Sequence, residues 1–201
     1  MAEAWRSSLQ NYLREQARPV EKYGHQPRLY ELTLRIGRAL AYDDDVIFAA
    51  VWLHDLGVFT GHRPEDLEAL QLWDNSAYAI EHTPPLLARF GFPQVKIPAV
   101  LACIQHHQPS GDPRTIEATI LRDADILEQL GAVGILRTVA KIGRDTRFHT
   151  FTDAIESLRK AHERLPGLLR LDSAKALATE RIQVFQTFLA ATATEAGEHL
   201  H

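Results

Sequence analysis

Histidines and aspartates stand at the ends or centres of stretches that are otherwise apolar, and these side chains carry the chemistry the rest of the chain must accommodate. His54-Asp55 closes the run Val46 to Leu53, where an imidazole and a carboxylate are costly to bury without a partner. Gln105-His106-His107 closes a second apolar stretch, IPAVLACIQHHQ; Asp123 and Asp125 interrupt a third, ATILRDADIL; and His25 precedes a fourth. Taken alone, the His54-Asp55 pair has an ordinary structural use, since histidine at a helix C-terminus bonds free carbonyls and aspartate can cap the turn at Gly57. Taken together, neutral imidazoles and carboxylates on several helices form the donor set of a borderline or hard divalent cation, and a helical bundle can gather them from facing helices.

The elements that position these groups follow from apolar periodicity. Trp5, Leu9, Tyr12 and Leu13 give a first helix that Pro19 stops. Leu29, Leu32, Ile36, Ala39 and Leu40 give a second over about 27–41, opening just after His25 with Pro27 in its first turn. Asp43-Asp44-Asp45 supplies an N-cap and complements the dipole of a third helix, which is apolar on all sides and therefore buried. Further helices are expected over 65–73, 76–90, 94–107, 115–130, 135–142, 152–165 and 173–193, with Pro84-Pro85 interrupting or bounding the 76–90 segment. No alternating strand pattern appears, so the fold class is all-α, a compact bundle of roughly eight to ten helices.

The order His25, His54-Asp55, then an Ala-Asp inside a helix resembles the H…HD…D signature of the HD superfamily. His25-Gln26-Pro27-Arg28-Leu29 is similar to the family's H-x-x-R-V opening, and Trp52 to Gly57 to its L-H-D-[IL]-G core. The stretch DADILEQLGAVGILR, residues 123–137, resembles a segment of a bacterial subgroup of metal-dependent phosphohydrolases. The resemblance covers roughly residues 20–140 and implies one HD-type domain over 1–201, with C-terminal helices in 145–195 packed on the motif core. It also implies a metal held by His25, His54, Asp55 and one aspartate of the 123–125 run. Residues two apart on a helix point to nearly opposite sides, so Asp123 and Asp125 cannot both bind. The family's Ala-Asp-x-[LF] pattern selects Asp125 and leaves Asp123 as the alternative or as an outer partner.

Some HD relatives add histidines between the HD pair and the final aspartate to hold a second metal, which here points to His82, His106 and His107. With one metal, His106 or His107 is available as a proton donor or phosphate ligand beside Asp55. Arg28, Arg122 and Arg137 are the cations nearest the proposed ligands in sequence and could meet phosphate oxygens. His62, His149, His162, His199 and His201 read as surface histidines. Val58 stands where the HD-GYP branch has lysine and where the nucleotidase branch has glutamate, so neither branch's acid/base partner carries over.

The implied activity is metal-assisted hydrolysis of a phosphate ester or anhydride in a nucleotide or other small phosphorylated metabolite, with Mn, Mg, Co, Zn or Fe as the cation. The alternatives are a di-iron oxygenase on the same scaffold and a non-catalytic nucleotide-binding module. A net charge of -4 supplies no concentrated basic face for nucleic acid. With one cysteine, no signal-peptide pattern and no bilayer-length apolar run, a cytoplasmic location away from membranes is expected. The sequence sets no oligomeric state.

Overall fold

The computed structural model describes residues 2–144, 148–197 and 199–200; His201, expected at the surface, lies outside them. Among the described residues are ten α-helices, four 3-10 turns and no strand, as the periodicity indicates. The helices are α1 (Ala2–Gln16), α2 (His25–Gly37), α3 (Asp44–Leu53), α4 (Leu67–Gln71), α5 (Asn75–Arg89), α6 (Ile97–His106), α7 (Ile116–Glu128), α8 (Gly131–Val139), α9 (Phe151–Arg164) and α10 (Asp172–Ala196). The chain divides into two compact units, Met1–Arg122 and Asp123–His201, with α7 running through the division. Among the described residues no helix is long and apolar enough to cross a membrane.

The first unit is organised on α3. All residues from Val46 to Leu53 are buried, and removing a valine, leucine, isoleucine or phenylalanine side chain from water contributes about 1.5–3 kcal/mol each. Its start is secured by the Asp43 carboxylate, which accepts from the backbone N–H of Asp45 at 3.0 Å and of Val46 at 3.4 Å. Arg6 from α1 pairs with Asp44 at 2.8 Å and Asp45 at 2.7 Å, its guanidinium 4.6 Å from the Phe48 ring centre. Lys96, just ahead of α6, pairs with Asp43 at 2.8 Å and Asp45 at 2.9 Å. The acidic triplet thus ties α1 and the α6 entrance to the head of α3.

Three placements differ from the periodicity. The eighth helix, expected over 135–142, spans Gly131–Val139, because Gly131 at φ 78° starts it and Gly134 lies within it. α2 begins at His25 itself and stops at Gly37, against which the Tyr42 ring packs in the space a Cβ at position 37 would need. α5 continues through Pro84-Pro85 instead of breaking. The prolines keep a helical φ and forfeit the bonds to the carbonyls of Ile80 and Glu81, residues half-buried and exposed, where water can serve.

The second unit packs α8, α9 and α10 about Ile135, Ile155, Leu158 and Phe185. Gly131 opens α8 at φ 78° and leaves room for Arg181, whose Nη1 donates to the carbonyls of Leu127 at 2.7 Å and Leu130 at 3.3 Å, closing the C-terminus of α7. At α9, Thr150 and Asp153 form a reciprocal capping box. A cleft of about 280 Å³ lined by Ile135, Val139, Ile155 and Phe188, among others, offers an almost wholly apolar surface and no metal ligand.

Burial pushes the Asp45 carboxyl upward, but the hydrogen bonds from Arg6 and Lys96 outweigh it and hold the group below the ordinary carboxylate range. A depressed folded-state value stabilises the protein above the unfolded carboxylate pKa near ~4 and loses that contribution as pH falls through the folded value. Asp45→Asn is therefore expected to cost about 1 kcal/mol at neutral pH, with the gap closing on the acid limb of a denaturant-unfolding series. A gap that stays constant down to acid unfolding would refute this account.

Candidate metal centre

His54 is the C-cap of α3 and is 1% exposed; its Nδ1 lies 2.9 Å from the Val51 carbonyl. His107 is the C-cap of α6, buried, with Nδ1 2.6 Å from the Ile104 carbonyl. A carbonyl only accepts, so in both rings Nδ1 is the donor, and in the neutral imidazole Nε2 is then the nitrogen with the lone pair, the arrangement by which proteins orient metal-binding imidazoles. His25, the first residue of α2, is also buried.

These groups converge. His25 Nε2 lies 3.3 Å from His54 Nε2, and Asp55 Oδ2 lies 3.7 Å from His25 Nε2 and 3.6 Å from His54 Nε2. Donors held about 2.0–2.2 Å from one tetrahedral cation stand roughly 3.3–3.6 Å from each other, so the three atoms fit a shared ion. His54, Asp55 and His107 form an overlapping group whose ligand atoms lie within 4.8 Å of one another. Asp55 therefore belongs to both clusters, with its side chain 21% exposed and so reachable from solvent.

The remaining expected site residues fall in varied places. His82 in α5 is half-buried and stacked on Tyr78 at 3.8 Å between ring centres, with Nδ1 2.9 Å from the Tyr78 carbonyl. His106 is half-buried beside His107, and neither His82 nor His106 joins the His54, Asp55 and His107 group. Arg28 is exposed, its guanidinium folded over Gly24 next to His25, where a Cβ would meet Nη1 at 3.0 Å. Arg122 is buried and donates to the Pro109 carbonyl at 2.6 Å, anchoring the loop that follows His107. Arg137 pairs at 3.3 Å with the buried Glu128. Of the histidines expected at the surface, His149 and His199 are exposed, whereas His62 and His162 are half-buried. His62 is drawn in by the Leu56 carbonyl at 2.8 Å and Gln16 Oε1 at 3.1 Å; His162 is stacked on Phe185.

The two aspartates of α7 separate clearly. Asp123 is fully buried and accepts from the backbone N–H of Arg170 at 3.0 Å and of Leu171 at 2.8 Å, immediately before α10. Asp125 is half-buried, and Gln129 Nε2 donates to its carboxylate at 3.1 Å. Cys103, the single cysteine, is buried and its thiol is pushed up to about 12 by burial, so it is inert as a nucleophile.

Several residues that support the centre were not singled out from the sequence. Trp73 Nε1 donates to the Gly57 carbonyl at 2.9 Å, and the Asn75 backbone packs where a Cβ on Gly57 would project. Lys22 Nζ donates to the Val58 carbonyl, three residues beyond Asp55. Their partners lie 16 to 36 residues away, and no local pattern marks them.

A model of the HD domain matches residues 23–130. No curated protein matches the chain. Among solved structures, YpgQ from Bacillus subtilis superposes with a TM-score of 0.77 at 19% identity, covering 98% of this chain and 99% of that one. YpgQ in complex with ADP gives a TM-score of 0.72 at 22% identity, covering 98% and 95%. An HD-superfamily hydrolase from Bacillus thuringiensis gives 0.71 at 18% identity, covering 98% and 100%. At these identities the likeness is one of fold.

A Cβ at position 57 would stand 2.7 Å from the Asn75 carbonyl oxygen and 2.8 Å from its Cα, both backbone atoms that cannot swing aside. Gly57→Ala should cost about 1–3 kcal/mol and weaken metal binding by displacing the turn after Asp55. Thermal unfolding and metal titration check this; unchanged values in both would show that the turn tolerates the extra carbon.

Proposed function

This chain belongs to the HD-domain family, and on that premise we propose that it is a metal-dependent phosphohydrolase acting on a nucleotide or related small phosphorylated metabolite. The observation that carries the reading is the convergence of His25 Nε2, His54 Nε2 and Asp55 Oδ2 to within 3.3–3.7 Å. His25, His54 and Asp55 are the ligands, and the motif order adds Asp125, since Asp123 is committed to the start of α10. The bound cation would lower the pKa of a coordinated water and polarise a phosphoryl oxygen, whichever of Mn, Mg, Co, Zn or Fe fills the site. His107, with its proton on Nδ1 and its ligand atom within 4.8 Å of an Asp55 oxygen, takes or returns a proton at Nε2. Arg28, exposed beside His25, meets the phosphate oxygens. ADP in the YpgQ complex supports a phosphorylated ligand of this class. A lone buried thiol suits the reducing cytoplasm.

The test is metal quantification on protein purified without chelator, followed by a panel of nucleotides and phosphomonoesters. One Mn, Mg, Co or Zn per chain with phosphate release supports the proposal. Two irons with oxygen consumption replace it with an oxygenase, and a metal-loaded protein that leaves the whole panel intact overturns it. Asp55→Ala should lose metal and at least about 100-fold in turnover, beyond the 10–100-fold that outer partners alone cost.

A further inference from the structure

Lys22 belongs to no expected site, yet two of its groups bind the turns that carry proposed ligands. Its carbonyl accepts the backbone N–H of His25, which closes the 3-10 turn Val20–Gly24 and sets the start of α2. The same carbonyl accepts at 3.0 Å from the Gln26 amide in the orientation that satisfies its surroundings. Its ammonium donates to the Val58 carbonyl across 36 residues of sequence. Val58 in turn donates its N–H to the Asp55 carbonyl at 3.0 Å, closing the turn that presents the Asp55 side chain. One residue therefore touches the His25 turn through its backbone and the Asp55 turn through its side chain.

We propose that Lys22 is a positioning residue, a clamp that fixes the His25 turn against the Asp55 turn so that their ligand atoms keep the separation a cation requires. The inference rests on the metal reading above but concerns binding, not turnover. Geometry makes the clamp effective: the 3.7 Å between His25 Nε2 and Asp55 Oδ2 spans elements that share no helix. A shift of a few tenths of an ångström would spoil coordination, which tolerates about ±0.2 Å. The apolar half of the junction is separate, because the Tyr23 ring lies against Trp52 with 5.6 Å between ring centres. Removing the ammonium therefore leaves a packed junction with an uncontrolled spacing.

The experiment is calorimetric titration of Mn2+ into metal-free protein, with thermal unfolding of the same samples. Lys22→Met keeps the aliphatic stem and drops the donor; it should weaken Mn2+ binding by about tenfold, the lower end of the range for outer partners. Lys22→Arg keeps a charged donor and should recover most of the affinity. Equal Mn2+ affinity in wild type and Lys22→Met overturns the proposal even if thermal stability falls, since that would make the bond structural only. Loss without recovery in Lys22→Arg also overturns it. Should Lys22→Met not fold, Lys22→Gln, which keeps a polar head without the reach, carries the same comparison. A wild type that takes up no divalent metal overturns both this inference and the metal reading. A wild type that binds Mn2+ but cleaves no phosphate leaves the clamp testable on its own.

Discussion

Burying an imidazole at the end of an apolar helix is tolerable only if each ring nitrogen has something to do, and that constraint governs the first unit. At His54 and His107 the inner nitrogen donates to a carbonyl three residues back, at Val51 and Ile104. The bond satisfies a helix-terminal carbonyl, fixes the tautomer and aims the second nitrogen away from the helix. Everything nearby answers to that aim. α3 is buried along Val46 to Leu53 and so cannot rotate without exposing its core, and its head is held by Arg6 and Lys96 on the acidic triplet. The rigidity of an apolar helix thus becomes the rigidity of a polar site.

Much of this was readable in the amino-acid order. An apolar run ending in His-Asp is anomalous enough to demand a partner, and the same anomaly at His107 pointed to the helix end that the structure brings beside His54 and Asp55. Helix existence followed from periodicity, and all-α architecture from the lack of alternation. What stayed hidden depends on contacts distant in sequence. Nothing near Pro84-Pro85 shows that the helix will run on through both prolines. Nothing near Asp123 shows that two backbone N–H groups 47 and 48 residues away will claim it. Arg122, expected at a phosphate, is buried under the Pro109 loop because its partner is a carbonyl, a group no composition or motif marks. Periodicity alone did not indicate that His25 would stand beside His54 and Asp55; the family resemblance named those three together, and the structure brings them within 3.3–3.7 Å.

Carboxylates and imidazoles at a bundle's helix ends also explain why the chain can afford so many polar groups inside its first unit. Each is matched to a backbone dipole or a neighbouring charge: Asp43 to N–H groups, Asp45 to two cations, His54 and His107 to carbonyls. Such pairing lowers the desolvation penalty these groups would otherwise carry.

α3 and α6 each finish, rather than begin, at the histidine they bring to this cluster. α3 stops at His54 and α6 at His107, so two macrodipoles turn their negative poles toward the same spot, against one positive pole from α2 at His25. The resulting field is biased toward positive charge before any ion arrives. On the proposed function, a phosphate arriving before the cation would meet like-signed potential, whereas one arriving after it would meet the opposite sign. On that same reading, polarity written into helix direction thus favours an order of arrival, cation first and anion second.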